Sequence, residues 1–310
     1  MTRQPAYKRG VSKTIIGKNK PRIAVVGSGV VGEATGTVLH AKGYDVTFVD
    51  NNSIVLKKLK HKGYKTSSPE KLDPTTVDIY FVSVPTYVNN DGGGTLNLKS
   101  AAVSLGKLIK EAGHYSLVVI RSTVLPGTVN KLVIPAIEKH SGKKEGKGFG
   151  VCVNPEYLRE KCALADFEDP WLVVIGESRK KDGDILQCVY DWVICPVYRV
   201  SIDEAEMQKF VHNIFNANKI AFFNEMRSAC RKLGLDCGLI YYLVTESAEG
   251  MWSPKYGIQD YGPFSGSCLP KDTSAFLQFA TKELKVDMKI LRAVIQSNEE
   301  LKKKMMQRGK

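Results

Sequence analysis

The strongest constraint on the fold is an alternation of short apolar runs with helical segments over the first two-thirds of the chain. "RIAVVG" (22–27) and "DVTFVD" (45–50) are nearly continuous apolar runs, as expected of parallel strands covered on both faces. Four further strand candidates follow, and helical patterns such as those at 97–112 and 127–139 lie between several of them. Strands that alternate with helices predict a doubly wound parallel sheet.

The first strand leads directly into a glycine-rich turn, "GSGVVG" (27–32), which opens a helix. In this arrangement Gly27 makes the turn, Gly29 lets a pyrophosphate approach the backbone, and Gly32 lets helix and strand pack closely. Asp50 ends the next strand and would hydrogen-bond an adenosine ribose while repelling a 2′-phosphate. The pattern predicts NAD in preference to NADP, and the alternative is a glycine-rich turn in a fold that binds no cofactor.

Near residue 200 the pattern changes to helices alone. A long helical pattern comes first, and shorter ones follow it, at 202–232, 236–247, 272–284 and 287–307. We therefore predict an α/β protein with a Rossmann-type doubly wound parallel sheet followed by an all-helical dimerisation domain. The predicted parts are a basic flexible tail, an NAD-binding domain and a helical domain, at residues 1–21, 22–200 and 201–310.

The charge is concentrated at the two ends of the chain. The formal net charge is +13, but residues 1–22 carry seven Lys and Arg, residues 301–310 carry five, and neither segment has an acid. The rest of the chain has 33 basic against 32 acidic residues. A basic binding face on the folded body is not indicated, so we predict no specific nucleic-acid partner.

The cysteines indicate a reducing compartment. Their number is odd and no CxxC pair occurs, with cysteines at Cys152, Cys162, Cys188, Cys195, Cys230, Cys237 and Cys268. No spacing suggests a metal site, and no apolar run reaches the ~18 residues of a membrane span. We predict a cytoplasmic protein without a metal or a membrane segment.

Polar or small residues follow three of the predicted strands, where a doubly wound sheet binds its ligands. These exits are "SVPT" (83–86), "STVLPGT" (122–128) and "NPEYLRE" (154–160). Glu156 and Glu160 are four residues apart and would share a face if the segment were helical. The alternative for this pair is a solvated helix face.

The long helical pattern carries a polar stripe. Lys209 and Asn213 are one helical turn apart, and Asn224 continues the same side. Such a stripe is either a functional site or the solvent face of the helix, and spacing alone leaves both possibilities open. His212 is interpreted as a packing or solvent residue.

Cys268 lies in "GPFSGSCLPKD" (262–272), where small residues leave room for a ligand near the backbone. A thiol near cationic groups can be a thiolate nucleophile. It can equally be a buried thiol in a turn that caps a helix. The residues of this stretch alone leave both readings open.

Six collinear motifs give this chain a resemblance to the UDP-glucose/GDP-mannose dehydrogenase family over roughly residues 22–300. They are "GSGVVG", "VSVPT", "RSTVLPGT", "NPEYLRE", "EMQKFVHNIFNANKIAFFNE" and "GSCLPKD". Members oxidise C6 of a nucleotide-linked sugar to a carboxylate with two NAD⁺ in succession. The resemblance implies a catalytic set of Cys268, Lys209, Asn213, Asp272, Thr123, Glu156 and Glu160. In it, Cys268 would add to the aldehyde, and the resulting thioester would be hydrolysed.

The binding residues expected on this basis fall into two groups. Those for the cofactor are Gly27, Gly29, Val30, Val31, Gly32, Asp50, Pro85, Thr86, Thr123 and Lys271. Those for a nucleotide-sugar substrate, with a UDP-hexose as first candidate, are Glu156, Tyr157, Leu158, Lys209, Asn213, Asn224, Lys255, Phe264 and Gly266. We also predict a homodimer formed through the helix at 202–232.

The chain also departs from the family pattern. A second α/β domain that holds the nucleotide is expected after the helical one, but only 42 residues follow Cys268. We therefore predict a short family member that lacks this domain. Two other functions stay open, namely an NAD-dependent β-hydroxyacid-type dehydrogenase acting on a smaller substrate and a non-catalytic NAD-binding subunit.

Overall fold

The computed structural model describes residues 20–86, 96–253, 256–257, 262–266 and 269–308, with the side chains of Glu160 and Arg308 left out. The chain divides into two compact units, Met1–His212 and Asn213–Lys310. Each unit is described by itself below.

The first unit is built on one eight-stranded sheet. Its strands are β1 (Ile23–Val26), β2 (Val46–Val49), β3 (Lys65–Ser67), β4 (Ile79–Val82), β5 (Ser116–Ile120), β6 (Phe149–Val153), β7 (Val173–Glu177) and β8 (Val197–Val200). Their order is β3-β2-β1-β4-β5-β6-β7-β8. Every neighbouring pair is parallel except β6 and β7, which are antiparallel. The predicted doubly wound fold is confirmed, and it differs from the prediction in that β7 and β8 both run in the reverse direction.

Helices cover both faces of this sheet. They are α1 (Val30–Ala41), α2 (Ser53–His61), α3 (Leu96–Glu111), α4 (Ile134–Ser141), α5 (Ala163–Glu168) and α6 (Lys180–Val189). One core packs the sheet against α3 and α4, and the other packs it against α1, α5 and α6. The central strands β4, β5 and β6 are buried at every position, which explains why their sequences are apolar runs without alternation.

Two details of this unit differ from the sequence-based expectation. The edge strands β3 and β8 were not predicted, and β3 reads Lys-Thr-Ser, without an apolar residue to signal it. The helical pattern at 127–139 is a π-helical turn over Val129–Val133 followed by α4. Pro135 has no amide hydrogen to donate, so regular α-helical bonding cannot continue through it.

The described part of the second unit consists of helices. Helix α7 (Ile202–Lys232) begins in the first unit and continues into the second. It is followed by α8 (Cys237–Ser247), α9 (Glu249–Trp252), α10 (Leu269–Lys282) and α11 (Lys289–Arg308). Four of these helices correspond to the four predicted patterns. A small core of Ala280, Val286, Met288 and Leu291 holds this unit together.

The carboxylate of Glu225 on α7 accepts the amide hydrogens of Ile290 and Leu291 at 2.8 and 3.1 Å, which caps the start of α11. None of the described helices combines the length and the apolar character that a membrane span requires. The three-part division predicted at residues 21 and 200 stays a prediction.

Helix α7 exposes an unusual number of large apolar side chains, and we expect the chain to form a homodimer through it. They are between 40% and 63% exposed, namely Met207, Val211, Ile214, Phe215, Ile220 and Phe222. Exposed apolar side chains in this number are typical of an interface. Light scattering at micromolar concentration should give twice the chain mass, and the double change Ile214→Glu with Phe215→Glu should give the monomer. A monomeric unaltered protein would contradict this expectation.

Candidate active site

The turn between β1 and α1 has the geometry of a phosphate-binding loop. Gly27 has a φ of +85°, and a Cβ there would lie 2.7 Å from the carbonyl oxygen of Ser83. A Cβ on Gly32 would lie 1.9 Å from the carbonyl oxygen of Gly27, whereas one on Gly29 would meet no atom within 4 Å. The fold therefore requires two of the glycines, and the third leaves open space at the N-terminus of α1.

Asp50 is fixed beside this turn. Its two carboxylate oxygens accept the amide hydrogens of Ser28 and Asn52, each at 2.8 Å. The negative charge at the end of β2 suits a ribose diol and opposes a 2′-phosphate. These residues fit NAD.

Gly32 and Gly29 should respond differently to replacement by alanine. Gly32→Ala forces a backbone clash, so we expect a loss of about 3 kcal/mol in unfolding free energy. Gly29→Ala has space within the fold and should leave the melting temperature unchanged, but its methyl group occupies the ligand's approach and should weaken NAD⁺ binding about tenfold or more. Thermal unfolding and isothermal titration measure the two effects. A Gly29→Ala protein that binds NAD⁺ normally would contradict the proposed cradle.

Asp50 should decide the cofactor. We expect NAD⁺ to bind at least about tenfold more tightly than NADP⁺, because the carboxylate lies where a 2′-phosphate would place its charge. Asp50→Asn should bring the dissociation constants of NAD⁺ and NADP⁺ closer together. Titration of both proteins with both cofactors tests it, and equal affinities of the unaltered protein would refute the assignment of Asp50.

The exits of the central strands meet at one edge of the sheet. The hydroxyl of Thr86 donates to the carbonyl oxygen of Thr123 at 2.6 Å, and the hydroxyl of Ser122 donates to that of Val84 at 2.7 Å. Two of the predicted exit segments are thus tied together. Pro85 lies between Val84 and Thr86 in the first of these segments. Its carbonyl oxygen accepts a hydrogen bond from the side chain of Asn97 at 3.1 Å.

The third exit segment meets helix α7 through a buried charge. Lys209 is only 6% exposed. Its ammonium group donates to the backbone carbonyl oxygen of Glu156 and lies 3.2 Å from that residue's carboxylate. The same group lies 5.2 Å from the centre of the Tyr157 ring. The structure therefore brings together Lys209 and Glu156, two residues singled out from the sequence 53 positions apart.

The two aromatic side chains near Lys209 are neutral. The hydroxyl of Tyr157 donates to the side chain of Gln208, and burial raises the pKa of this tyrosine to about 12. The ring of His212 packs edge-on against Tyr157, with their centres 4.9 Å apart. Burial and then the charge of Lys209 lower the pKa of His212. Lys209 is thus a buried cation beside one carboxylate and neutral rings, and it can also stabilise a developing negative charge.

Two concave spaces lie beside Lys209 and Glu156. A recess of about 200 Å³ is lined by residues that include Thr123, Glu206 and Lys209. A cleft of about 350 Å³ lies between residues 154–158 and 170–173. The predicted substrate residues Tyr157 and Leu158 line this cleft.

The end of β6 is held by a buried network that the sequence analysis did not assign. Arg121 is 3% exposed, and its guanidinium donates to the side chain of Asn154 and, at 2.9 Å, to the hydroxyl of Tyr190. Asn154 in turn donates to the carbonyl oxygen of Val174 at 2.8 Å. The sequence signal for this network was Arg121, a basic residue directly after the buried strand β5.

Glu156 and Glu160 do not share a helix face, because the segment between them is not helical. Glu156 instead accepts the amide hydrogen of Leu158 at 2.7 Å, which stabilises a local turn. Glu160 begins a short 3₁₀ turn, Glu160–Cys162. The helical arrangement considered for this pair is therefore wrong, and a catalytic role for Glu160 stays a prediction.

The other predicted site residues lie in the second unit. Asn213 and Asn224 are exposed on α7, and Asp272 in the first turn of α10 pairs with Lys271 at 2.6 Å. The carbonyl oxygen of Phe264 accepts from Asn298 at 3.0 Å, and Gly266 has a φ of +86°. Cys268 and Lys255 lie outside the described residues. Roles for this group remain predictions.

In the cofactor group, Val30 and Val31 form the first turn of α1, and Val30 is 52% exposed. They lie at the helix end where the open space above Gly29 begins.

Two family models match the chain. The NAD binding domain of the UDP-glucose/GDP-mannose dehydrogenase family matches residues 53–194, and the central domain of the same family matches residues 203–300. The first match lies within the first compact unit, and the second runs from the end of that unit through most of the second.

Curated relatives and solved structures agree with these matches. The chain is 36% identical to the GDP-mannose 6-dehydrogenase of Pseudomonas syringae pv. tomato, over 89% of this chain and 68% of that protein. It is 32% identical to the UDP-glucose 6-dehydrogenase TuaD of Bacillus subtilis, over 90% of this chain and 63% of that protein. A ternary complex of GDP-mannose dehydrogenase from Pseudomonas aeruginosa is similar at a TM-score of 0.85 and 32% identity, over 90% of this chain and 69% of that one.

Proposed function

Since this chain belongs to the UDP-glucose/GDP-mannose dehydrogenase family, we propose that it oxidises C6 of a nucleotide-linked sugar from the alcohol to the carboxylate. The family resemblance and the NAD cofactor expected from the sequence are confirmed by these matches. The single observation that carries the proposed chemistry is the buried Lys209 beside Glu156 and Thr123, at the strand ends where this fold binds its ligands.

NAD⁺, when bound, accepts a hydride from the carbon that is oxidised. In our proposal the turn from Gly27 to Gly32 receives the pyrophosphate and Asp50 receives the adenosine ribose. Thr86 and Thr123 border the end of the sheet where the nicotinamide would meet the sugar.

In the first oxidation the C6 hydroxyl gives up its proton while C6 becomes an aldehyde. The developing oxyanion needs nearby donors, and Lys209 supplies a desolvated cation. Asn213, one helical turn further along α7, is proposed as the second donor. Glu156 or a water molecule that it orients is proposed as the base.

In the second oxidation the aldehyde must first gain a nucleophile. We assign this role to the thiolate of Cys268, whose sulfur would bond to C6 while the carbonyl oxygen takes up a proton and forms a thiohemiacetal. Transfer of the remaining C6 hydrogen as hydride to a second NAD⁺, with loss of the hydroxyl proton, would leave a thioester. Water activated by Glu156 or Asp272 would cleave the C–S bond, release the carboxylate and return the thiol.

The names of the relatives favour one substrate to test first. The GDP-mannose 6-dehydrogenase relative is 36% identical, against 32% for the UDP-glucose 6-dehydrogenase TuaD. The solved GDP-mannose dehydrogenase has a TM-score of 0.85, against 0.70 for the UDP-glucose dehydrogenase of Pyrobaculum islandicum. These values favour GDP-mannose over the UDP-hexose named from the sequence.

The deciding experiment is the amount of NADH formed per substrate. The protein is incubated separately with limiting GDP-mannose, UDP-glucose or a small β-hydroxyacid and with excess NAD⁺, and NADH is followed by absorbance. Two NADH per sugar nucleotide support the proposal. One NADH, formed instead from a smaller hydroxyacid, supports the β-hydroxyacid-type alternative. Binding of NAD⁺ without turnover of any of these compounds supports the non-catalytic alternative.

A further inference from the structure

Glu206 is a buried carboxylate that forms hydrogen bonds with backbone amides outside its own helix. It lies on α7 one turn before Lys209 and is 2% exposed. Its two oxygens accept the amide hydrogens of Gly127 and Val129, at 2.6 and 2.9 Å. Gly127 belongs to the loop that leaves β5 and carries Thr123, and Val129 begins the π-helical turn that follows this loop.

Burying the carboxylate of Glu206 costs free energy, and two backbone amides compensate for that cost. Burial raises the pKa of Glu206, since a charged carboxylate loses its hydration. The two amide hydrogens replace that hydration, and they lie at the start of the π-helical turn and α4, where unpaired donors favour an anion. Nearby, Asn130 donates to Asp203 on α7 at 3.0 Å, a second link between the same two elements.

Helix α7 has a separate group for its own capping. Glu204, which is exposed, accepts the amide hydrogen and the hydroxyl of Ser201, at 2.7 and 2.8 Å. Glu206 is therefore not needed to begin α7, and its bonds can be removed without removing this cap.

We propose that Glu206 is a positioning residue that locks the Thr123 loop to α7 and thereby sets Thr123 at a fixed place relative to Lys209. The three side chains line one recess. This inference rests on the proposed function, in which Lys209 stabilises the oxyanion and Thr123 borders the nicotinamide. Small displacements between reacting groups are costly, on the order of 10²-fold in rate for about 1 Å.

The test compares Glu206→Gln with the matched change Glu204→Gln. In Glu206→Gln one carbonyl oxygen still accepts an amide hydrogen, but the side-chain NH₂ now faces the other donor. We expect kcat to fall on the order of 10²-fold, while the dissociation constant of NAD⁺ stays within about threefold because the glycine turn and Asp50 are untouched. Glu204→Gln keeps a side-chain oxygen that can accept from Ser201, so it should change the melting temperature little and leave kcat within about threefold.

Amide hydrogen exchange on the protein without substrate is the second readout. Exchange in residues 122–133 should speed up in Glu206→Gln and stay unchanged in Glu204→Gln. Unchanged exchange or unchanged kcat in Glu206→Gln would overturn the positioning role, as would equal losses of kcat in the two variants. Inactivity of the unaltered protein on every nucleotide sugar would overturn the proposed function instead, and exchange would then decide the inference about Glu206.

Discussion

Replacing Cys268 with serine is expected to abolish the second oxidation. Serine is a far weaker nucleophile than a thiolate at neutral pH, so the aldehyde formed in the first step would find no partner for addition. We expect turnover to fall by at least three orders of magnitude, which is about 4 kcal/mol or more in activation free energy. Binding of cofactor and substrate should change little, because the two side chains are nearly the same size.

Intact-mass spectrometry during turnover checks this expectation. The unaltered protein should carry a covalent adduct on Cys268, and the serine variant should stall after one NADH or accumulate a slowly hydrolysed ester. Cys162→Ser, at an exposed thiol in the described part of the first unit, is the matched control and should behave as the unaltered protein. A Cys268→Ser protein that still forms two NADH at a normal rate would refute the thioester route.

Replacing Lys209 with methionine is expected to have the next largest effect. Methionine keeps the length and packing of the side chain but removes the desolvated cation. Loss of one such donor to an oxyanion costs about 10²–10³-fold in kcat. The change also leaves the carboxylate of Glu156 partly buried without its cation, so stability should fall by about 1–3 kcal/mol.

Kinetics and chemical denaturation of Lys209→Met separate these two losses. Lys219→Met, at an exposed lysine of the same helix, is the control and should change neither. The double change Lys209→Met with Glu156→Gln should recover part of the lost stability, because the unpaired charge is gone, but none of the lost kcat. A kcat restored by Glu156→Gln would show that Lys209 acts only through that ion pair.

The nucleotide-binding half of the fold could be predicted from sequence because its signals are local. Gly27, Gly29, Gly32 and Asp50 lie within one strand–helix–strand unit, and each is needed for a backbone or charge reason that holds in any such unit. The strands β4 and β5 can be recognised in the sequence as apolar runs, since a strand buried on both faces does not alternate apolar with polar residues.

The rest depends on contacts between distant segments. Nothing in the residues of β7 shows that it pairs with β6 in the reverse direction, because strand direction follows from how α5 returns the chain to the sheet. Glu206 looks like any polar residue of a helix, and its partners are backbone amides about 80 positions away in sequence. Arg121 and Tyr190 likewise meet only in the folded protein.

The reversed direction of β7 also determines which wall of the cleft beside Glu156 can change during evolution. Because β7 runs against β6, its first residues lie at the sheet edge where β4, β5 and β6 end, and the segment at 170–173 forms one wall of the cleft. Trp171 on that wall is 49% exposed, and its ring centre lies 6.5 Å from that of Tyr157. Surface connections tolerate insertions and deletions better than strands do. This wall can therefore be rebuilt by changes in loop length during evolution, while Lys209 and Glu156 keep their places.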